Sequence, residues 1–387
     1  MPQNDAMKTR LIRRPALHWL AAGLAWLGLS LNNLAANTAT APLPRVPVIY
    51  CTDLFHPHDD PDDHFDLATL YALPELDVKC IVLDQGDRQA KRPGRIPVSQ
   101  LNHLTGRNVS CFAGLGAKLR SPEDGAFQQP AEFQGGVEAI LRTLREADRL
   151  VTIIAVGSVR DIAAAWNREP NLMRSKVSRL VLFIGEASKA DSREYNVALD
   201  PAAFVAVMRS GLPIAWVPCF DGGLWQNAGH ASFWQASQAD LLAKAPPPLI
   251  QYFIYALEKE TTDPIAFLAQ PVNPERQTRL FAPQRNLWCT AIFGAVAGRR
   301  VVERDGHFVS EPPAASERPT LGSNHGVFGF RGIGIEVGDD AAVRASDDPK
   351  AHWVWQFEVL DRERYARAMT EATAGLLAGF PLRAAGR

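Results

Sequence analysis

Short runs of apolar residues alternate along this chain with segments in which apolar residues recur every three or four positions. The first run, Val48–Tyr50, predicts a buried strand, and a polar loop follows it. Leu67, Leu70, Tyr71 and Leu73 then recur at the spacing of one helix face. Strand, loop and helix in this order predict one unit of an α/β fold, in which ligands bind where strands end.

The same alternation continues for most of the chain. Apolar runs predict strands at 78–83, 150–156, 177–184 and 212–218, and helical spacing predicts helices that begin at 98 and cover 136–147, 291–297 and 362–382. Asp200-Pro201 has the residue types preferred at a helix N-cap and at the first helical position. We therefore expect an α/β fold with a mostly parallel open sheet, helices on both faces and C-terminal additions, as a single domain over 45–387.

Composition narrows the class of protein. With 47% hydrophobic residues among 387, the chain has enough apolar side chains for a large core. Its formal net charge of −1 provides no basic field, which argues against DNA or RNA as a partner. The five cysteines, Cys51, Cys80, Cys111, Cys219 and Cys289, lack paired spacing, so we expect buried strand residues rather than disulfides or zinc ligands.

Residues 1–41 have the order of a signal peptide. Arg13 and Arg14 precede an apolar run from Ala16 to Leu31, and small residues follow near Ala36. At about 16 residues the run is short for a membrane span, which needs roughly 20. We expect cleavage and export, to the periplasm or the medium. An uncleaved segment would instead be an N-terminal anchor and the predicted point of contact with a membrane.

The loop after the first strand is dense in acidic and histidine side chains. They are Asp53, Asp59, Asp60, Asp62, Asp63, His56, His58 and His64. So many carboxylates in a short segment repel one another, and either solvent or a cation must offset that repulsion. A solvated acidic turn that caps the following helix is one explanation. The position at a strand end favours the other, a hard cation such as Ca²⁺ or Mg²⁺, because these ions select oxygen ligands.

This loop resembles the aspartate motif Asp-x-Asp-x-x-x-Asp-Asp of the inosine/uridine-preferring nucleoside hydrolase family. Asp53 matches the early part of the motif, with Cys51 in place of the first aspartate. Asp62-Asp63 match the closing pair after an insertion, and Asp59-Asp60 provide a rival alignment. The resemblance covers about 46–298 and implies a nucleoside hydrolase-like fold.

Two further segments resemble the same family. The strand that ends at Val156 and the turn at Gly157 resemble the family's strand followed by Gly-Pro-Leu-Thr-Asn-Ile-Ala. This resemblance implies that the carbonyl of Val156 coordinates a metal ion. Residues 194–203 resemble Glu-Phe-Asn-Ile-x-x-Asp-Pro-x-Ala-Ala, which implies that Glu194 and Asn196 bind the ribose hydroxyls. An acceptor beside an amide suits a vicinal diol, because each hydroxyl both donates and accepts.

The chain also departs from the family. At Asp87 it has Gly-Asp where the family has a Gly-Asn pair that binds substrate, so Asp87 becomes a candidate substrate ligand. Downstream, the family carries His-Asp-Pro, whose Asp completes the metal shell and whose His serves the leaving base. The corresponding segment here, Arg285–Ile292, contains neither residue type.

Two segments outside these motifs bear on the leaving group. His325 is the first candidate for the missing acid, because its neighbouring glycines suit an exposed loop that approaches a pocket. The alternative for this segment, 321–330, is a glycine-rich hairpin with a surface histidine. His56 and His58 in the acidic loop come next. The loop at 220–237, which contains Trp225 and Trp234, fits either an aromatic plug of the core or a pocket wall that stacks on a ring.

The resemblance implies a calcium-dependent hydrolase that cleaves the N-glycosidic bond of a nucleoside or related small-molecule riboside. The implied residues are Asp53, Asp62, Asp63 and the Val156 carbonyl for the metal, Asp62, Asp87, Glu194 and Asn196 for the substrate, and Asp53 and His325 for catalysis. The cation would lower the pKa of a water, and Asp53 would accept the proton.

Two other functions remain open at the level of sequence. An exported metal-dependent nucleoside- or sugar-binding protein that has lost catalysis would keep the same motifs and show no turnover. A metallophosphatase would use the Asp/His-rich loop for two metal ions, and it leaves Glu194 and Asn196 unexplained. The sequence identifies neither the leaving group nor the oligomeric state, and it is compatible with a homo-oligomer.

Overall fold

The computed structural model describes residues 44–58, 61–85, 89, 91–92, 94–188, 194–314 and 324–384. The predicted signal segment at 1–41, the rival pair Asp59-Asp60 and the candidate substrate ligand Asp87 lie outside the described residues. Among the helices that are described, none combines the length and the apolar character that crossing a membrane requires.

A nine-stranded sheet organises the described part of the chain, in the order β12-β11-β13-β6-β5-β4-β1-β2-β3. In chain order, the strands are β1 Val46–Thr52, β2 Leu76–Leu83, β3 Cys111–Ala113, β4 Val151–Val156, β5 Val177–Phe183, β6 Ile214–Val217, β7 Trp234–Ser237, β8 Gln284–Leu287, β9 Arg300–Arg304, β10 His307–Glu311, β11 Phe328–Val337, β12 Val343–Ala345 and β13 His352–Val359. Strands β7 and β8, and strands β9 and β10, form two small antiparallel pairs.

Helices cover both faces of the sheet. They are α1 Asp62–Ala72, α2 Arg95–Thr105, α3 Gly135–Glu146, α4 Arg160–Arg168, α5 Pro170–Lys176, α6 Tyr195–Leu199, α7 Pro201–Met208, α8 Gln238–Leu242, α9 Pro247–Leu257, α10 Pro264–Leu268, α11 Pro274–Phe281, α12 Phe293–Val296 and α13 Tyr365–Ala378, with 3₁₀ turns at Ala131–Phe133 and Thr290–Ile292. The predicted mostly parallel sheet between helical layers is confirmed.

The alternation of side chains along β1 divides the core into two layers. Val48 and Tyr50 pack with residues of α1, α9 and α13, whereas Ile49 and Cys51 pack with residues of α3, α4 and α7. Successive side chains of a strand point to opposite faces, so a strand covered on both faces is apolar throughout. This explains why β1 and β4 appear in the sequence as continuous apolar runs.

The C-terminal part of the chain differs from the sequence prediction. Only a glycine-rich hairpin and a final helix are predicted there, yet β11, β12 and β13 extend the main sheet. Strand β13 pairs in parallel with β6 and antiparallel with β11. Glycines and Arg331 interrupt the apolar residues of β11, and Gln356 and Glu358 interrupt those of β13. The pattern is therefore weaker than in the central strands.

The strand order reverses between β1 and β4, and the crevice at such a reversal is where open α/β sheets bind ligands. Gly157, which follows β4, has a φ of +114°. A Cβ at this position would lie 3.2 Å from Cβ of Asp53 and 3.0 Å from Oδ2 of Asp84. Glycine thus lets the ends of β1 and β4 approach closely at the crevice.

Candidate active site

A cavity of about 310 Å³ lies at this crevice, at the carboxyl ends of β1, β4 and β5. Asp53 follows β1, Val156 ends β4 and Phe183 ends β5, and all three line the cavity. The start of α6 adds Asn196, and the loop after β8 adds Trp288. The topology therefore brings together side chains from five separate parts of the chain.

Helix α1 contributes three more carboxylates to this cavity. The helix begins at Asp62 after Pro61, and Asp62, Asp63 and Asp66 all line the cavity wall. Residues three and four apart share one side of a helix, so Asp66 lies on the side of both Asp62 and Asp63. The N-terminal end of an α-helix carries partial positive charge, which favours carboxylates in its first turn.

Hydrogen bonds fix the acidic loop against β1 and α1. The Thr52 hydroxyl donates to Oδ1 of Asp63 at 3.4 Å and accepts from the N–H of Leu54 at 3.2 Å. Nε2 of Gln89 donates to the carbonyl of Asp53 at 3.2 Å. The strand end and the helix start are thus held in register with each other.

Burial raises the pKa values of all four carboxyl groups, and neighbouring carboxylates raise those of Asp53, Asp62 and Asp63 further. For Asp53, burial first and then the charges of Asp84 and Glu194 raise the pKa to about 7. The pKa values of Asp62 and Asp63 lie well above the usual range, because desolvation and neighbouring carboxylates both disfavour the charged form. Burial raises the pKa of Asp66 to about 7. Removing these charges from water without a cation is therefore unfavourable.

No Lys or Arg forms an ion pair with these four carboxylates in the part of the chain that the structure describes. The His58 side chain lies beside two of them: one ligand atom each from His58, Asp62 and Asp63 lie within 4.8 Å of one another. The side-chain oxygen of Asn196 is buried and has no hydrogen-bond partner among the described residues. Several carboxylate oxygens without a countercharge fit a divalent cation such as Ca²⁺, and the Asn196 oxygen is left for another ligand.

The two residues expected to bind ribose lie in the same cavity as Asp53, but the structure gives them different surroundings. Oε2 of Glu194 accepts the N–H of Gly185 at 2.9 Å, and Oε1 accepts the N–H of Asn196 at 2.9 Å. Glu194 therefore caps α6, and burial raises its pKa to about 7. The side-chain oxygen of Asn196 has no such partner, so Asn196 is the better placed of the two to meet a ligand hydroxyl.

Aromatic side chains form one wall of the cavity. Phe220, Trp225 and Trp288 all line it, with ring centroids 5.5 Å apart for Phe220–Trp225 and 6.1 Å apart for Trp225–Trp288. Phe233 packs behind them, 5.7 Å from Trp288. Trp225 is 54% exposed, whereas Phe220 is buried. The loop after β6 thus serves both as a plug of the core and as a pocket wall.

Two of the three candidate histidines, His325 and His56, lie away from the cavity wall. His325 is fully buried and is not among the cavity-lining residues, so its expected exposure near the pocket is wrong. Its Nδ1 lies 3.2 Å from the carbonyl of Arg299, and its ring stacks on Phe328. The packing of β11 encloses it, and we do not retain it as the acid. His56 is also buried, with Nε2 2.8 Å from the carbonyl of Glu260, and among the described histidines it is His58 that lines the cavity.

Sequence reasoning missed Asp66, Trp288 and Cys289, which all line the cavity. Asp66 carried a detectable signal, since it follows Asp62 by four positions on a predicted helix. The loop after β8 carried none, because a tryptophan and a cysteine in an apolar stretch resemble ordinary core residues. All five cysteines are free, and three of them, Cys51, Cys80 and Cys111, lie on strands.

Among known proteins, this chain resembles nucleoside hydrolases. The model of the inosine-uridine preferring nucleoside hydrolase family matches residues 52–293. The chain is 31% identical over 189 residues to the pyrimidine-specific ribonucleoside hydrolase RihA of Citrobacter koseri, covering 44% of this chain and 58% of that protein. It is 29% identical over 172 residues to RihA of Escherichia coli O127:H6, covering 40% and 55%. The match thus spans a little over half the length of these curated relatives.

Among solved structures, a plant nucleoside hydrolase, PpNRh1, is similar with a TM-score of 0.52 and 17% sequence identity. The similarity covers 86% of this chain and 99% of that one. At this identity it supports the fold alone, while the family match includes the acidic loop, the turn after β4 and the Glu194–Ala203 segment. The chain belongs to the inosine-uridine preferring nucleoside hydrolase family.

Proposed function

We propose that this chain hydrolyses the N-glycosidic bond of a nucleoside or a related riboside with the help of a divalent cation, most simply Ca²⁺. The observation that carries the proposal is one cavity that combines buried carboxylates, an unmatched buried amide oxygen on Asn196 and an aromatic wall. Its volume of about 310 Å³ lies in the range of pockets for small ligands.

The acidic side of the cavity would hold the cation. Asp53, Asp62 and Asp63 would provide carboxylate ligands, and the main-chain carbonyl of Val156 would add a neutral one. A divalent cation bound there would lower the pKa of a water in the cavity. We assign Asp53 as the base that takes the proton of the attacking water, because it lies at the end of β1 on the cavity wall.

The sugar would lie between the acids and α6. As a glycosidic bond lengthens, the sugar ring gains positive charge, and nearby carboxylates stabilise that charge. The buried oxygen of Asn196 would accept a hydrogen bond from a sugar hydroxyl and so gain the partner that it lacks. Glu194 would hold Asn196 in place through its hydrogen bond to the Asn196 N–H.

The leaving group would lie against the aromatic wall. Trp225 and Trp288 present flat faces that suit a planar base. The indole N–H of Trp288 is buried without a hydrogen-bond partner among the described residues, so it is available to an acceptor on the base. His58 lines the same cavity and is our candidate for the proton donor to the departing base.

The test is turnover of ribosides by the purified protein, with and without a chelator. We expect release of ribose from a nitrophenyl riboside and from at least one nucleoside, and loss of both activities in EDTA with recovery on adding Ca²⁺. Asp53→Asn should lower kcat by about 10²–10⁴-fold, the usual contribution of a general base. Binding of nucleosides without any turnover would instead favour a binding protein that has lost catalysis.

We also propose that the protein is exported, on the strength of the charged, apolar and small-residue order within residues 1–41. Expression of the full chain in a Gram-negative host should yield a mature N-terminus near Ala36 in the periplasmic fraction. Recovery of the uncleaved chain in the membrane fraction would support an anchor instead.

A further inference from the structure

Asp66 has no role in the proposal so far, although it is 4% exposed and lines the same cavity as Asp53. It lies one helical turn after Asp62 and Asp63 on α1. Asp53, Asp62, Asp63 and Asp66 all line this one cavity. Such a buried carboxylate is unfavourable unless something compensates it.

The partners of Asp66 come from the loop that follows β8. Oδ1 of Asp66 accepts the N–H of Thr290 at 3.2 Å, and the thiol of Cys289 donates to the same carboxylate. These hydrogen bonds orient Asp66 without neutralising it. A carboxylate has about four acceptor positions, so two hydrogen bonds leave room for a further contact.

The same loop places Trp288 and Cys289 at the cavity, and neither side chain offers a hard oxygen. Cysteine sulfur is a poor ligand for Ca²⁺ or Mg²⁺, which select oxygen. The β8 side of the cavity therefore contributes no cation ligand of its own from these side chains.

We propose that Asp66 is a cation ligand, which supplies from α1 the carboxylate that the loop after β8 lacks, and that Cys289 and Thr290 orient it. This inference rests on the proposed function, because it concerns the same cation. Ca²⁺ takes six to eight oxygen ligands, and its affinity rises with the number of charged ligands. With Asp66, helix α1 provides three carboxylates and β1 provides the fourth.

The experiment measures Ca²⁺ binding to the full chain by isothermal titration calorimetry, after removal of metal with EDTA. Asp66→Asn keeps the size of the side chain and an acceptor for Thr290, so we expect folding to persist while Ca²⁺ affinity falls by about 100-fold or more. The matched control is Asp161→Asn. Asp161 is also 4% exposed and carboxylic, yet it is not among the residues that line the cavity, and its removal should change affinity less than about threefold.

A double variant tests whether a carboxylate on the loop after β8 can replace the one on α1. Adding Cys289→Asp to Asp66→Asn returns a carboxylate to the cavity from the loop after β8. We expect the double variant to bind Ca²⁺ at least about tenfold more tightly than Asp66→Asn alone. Thermal unfolding separates a ligand from a structural residue. Without Ca²⁺, Asp66→Asn should be at least as stable as the wild type, because a repelling buried charge is gone, and it should lose most of the stabilisation that Ca²⁺ gives.

The outcomes separate this inference from the proposed function. If Asp63→Asn abolishes Ca²⁺ binding while Asp66→Asn binds like the wild type, Asp66 is not a ligand and the proposed function stands. If wild type binds no Ca²⁺ yet cleaves ribosides, the cation site and the inference are both wrong. If Asp66→Asn loses Ca²⁺ but the wild type cleaves no riboside, the inference holds and the hydrolase proposal fails.

Discussion

The carboxylate of Glu194 accepts the main-chain N–H of Gly185 at 2.9 Å and so ties the start of α6 to the end of β5. The same carboxylate accepts the N–H of Asn196, which gives that residue a fixed position on the cavity wall. Glu194, which the sequence assigns to ribose binding, thus accepts hydrogen bonds from backbone N–H groups. In the proposed function, Glu194 contributes through the placement of Asn196.

This arrangement predicts a large loss of stability when Glu194 is removed. Glu194→Ala deletes a helix cap, worth about 1 kcal/mol, and leaves the buried Gly185 N–H unsatisfied, worth about 1–3 kcal/mol more. Glu194→Gln keeps an acceptor and should cost less. Urea denaturation in EDTA measures the free energy of unfolding for each variant.

Asp263 provides the matched control for this prediction. It caps α10 by accepting from the N–H groups of Ile265 and Ala266, at 2.9 and 2.8 Å, but it is exposed. Asp263→Ala should therefore cost only the energy of a cap. A loss for Glu194→Ala no greater than that for Asp263→Ala would show that the Gly185 contact contributes nothing measurable.

The aromatic wall predicts a specific effect on binding of the base. Trp225→Ala should reduce kcat/KM for nucleosides by about 5- to 150-fold, since stacking of a base on an aromatic ring is worth about 1–3 kcal/mol. Inhibition by free ribose, which has no base, should be unchanged. Trp225→Phe should retain most of the activity, because it keeps an aromatic face.

Trp353 provides the control, because it is an exposed tryptophan outside the cavity. It is 61% exposed on β13 and is not a lining residue of the cavity. Trp353→Ala should leave kcat/KM unchanged. Equal effects of the two alanine variants, or a weaker inhibition by ribose in Trp225→Ala, would argue against a base-stacking wall.

Much of the site could be predicted because its parts are local in sequence. The β1–loop–α1 unit, the turn at Gly157 and the segment from Glu194 to Asp200 each follow from residue types at short spacing. Asp200 indeed caps α7, where Oδ1 accepts the N–H of Ala203 at 3.1 Å. Such contacts span a few residues, and the pattern that encodes them lies in one window of sequence.

The remaining parts depend on contacts between distant segments. Asp66 meets the N–H of Thr290 across 224 positions of sequence, and no local pattern predicts that pairing. His325 appears exposed among glycines in the sequence, but Phe328 and Phe330 pack against its ring and enclose it. Burial of a polar residue is set by the tertiary neighbours, and these are not encoded nearby.

Removal of His58 should affect substrates according to their leaving groups. His58→Ala should lower turnover of inosine by about 10²–10⁴-fold, the usual value of general acid catalysis, and should barely affect a nitrophenyl riboside that leaves without a proton. Ca²⁺ binding needs to be measured on the same variant, since His58 lies near Asp62 and Asp63. Equal loss on both substrates together with weaker Ca²⁺ binding would identify His58 as part of the cation site and not as the acid.

The last prediction concerns Asp161, a buried carboxyl group beside the site. Both of its oxygens lie 3.2 Å from the N–H of Leu115, and the side chain fits between Gly114 and Gly136, where a Cβ would come within 2.3 and 2.5 Å of its oxygens. Burial first, and then the charge of Asp84, raises its pKa from 3.8 to about 7. The folded protein therefore holds this proton up to a higher pH than the unfolded chain does.

Stability should accordingly fall as pH rises from about 4 to about 7, because over that interval the folded state binds more protons at Asp161 than the unfolded state. The difference between the folded and unfolded pKa values of Asp161 corresponds to ~4 kcal/mol at most. Asp161→Asn fits the same space and has no proton to lose, so its free energy of unfolding should decline less over this interval. The gain relative to wild type should be greatest above pH 7 and smallest below pH 4. Urea denaturation in EDTA at pH 4, 5.5, 7 and 8 measures this, with Asp148→Asn, whose side chain is 90% exposed, as the control. Parallel pH profiles for wild type and Asp161→Asn would show that Asp161 ionises in the folded state as it does in the unfolded chain.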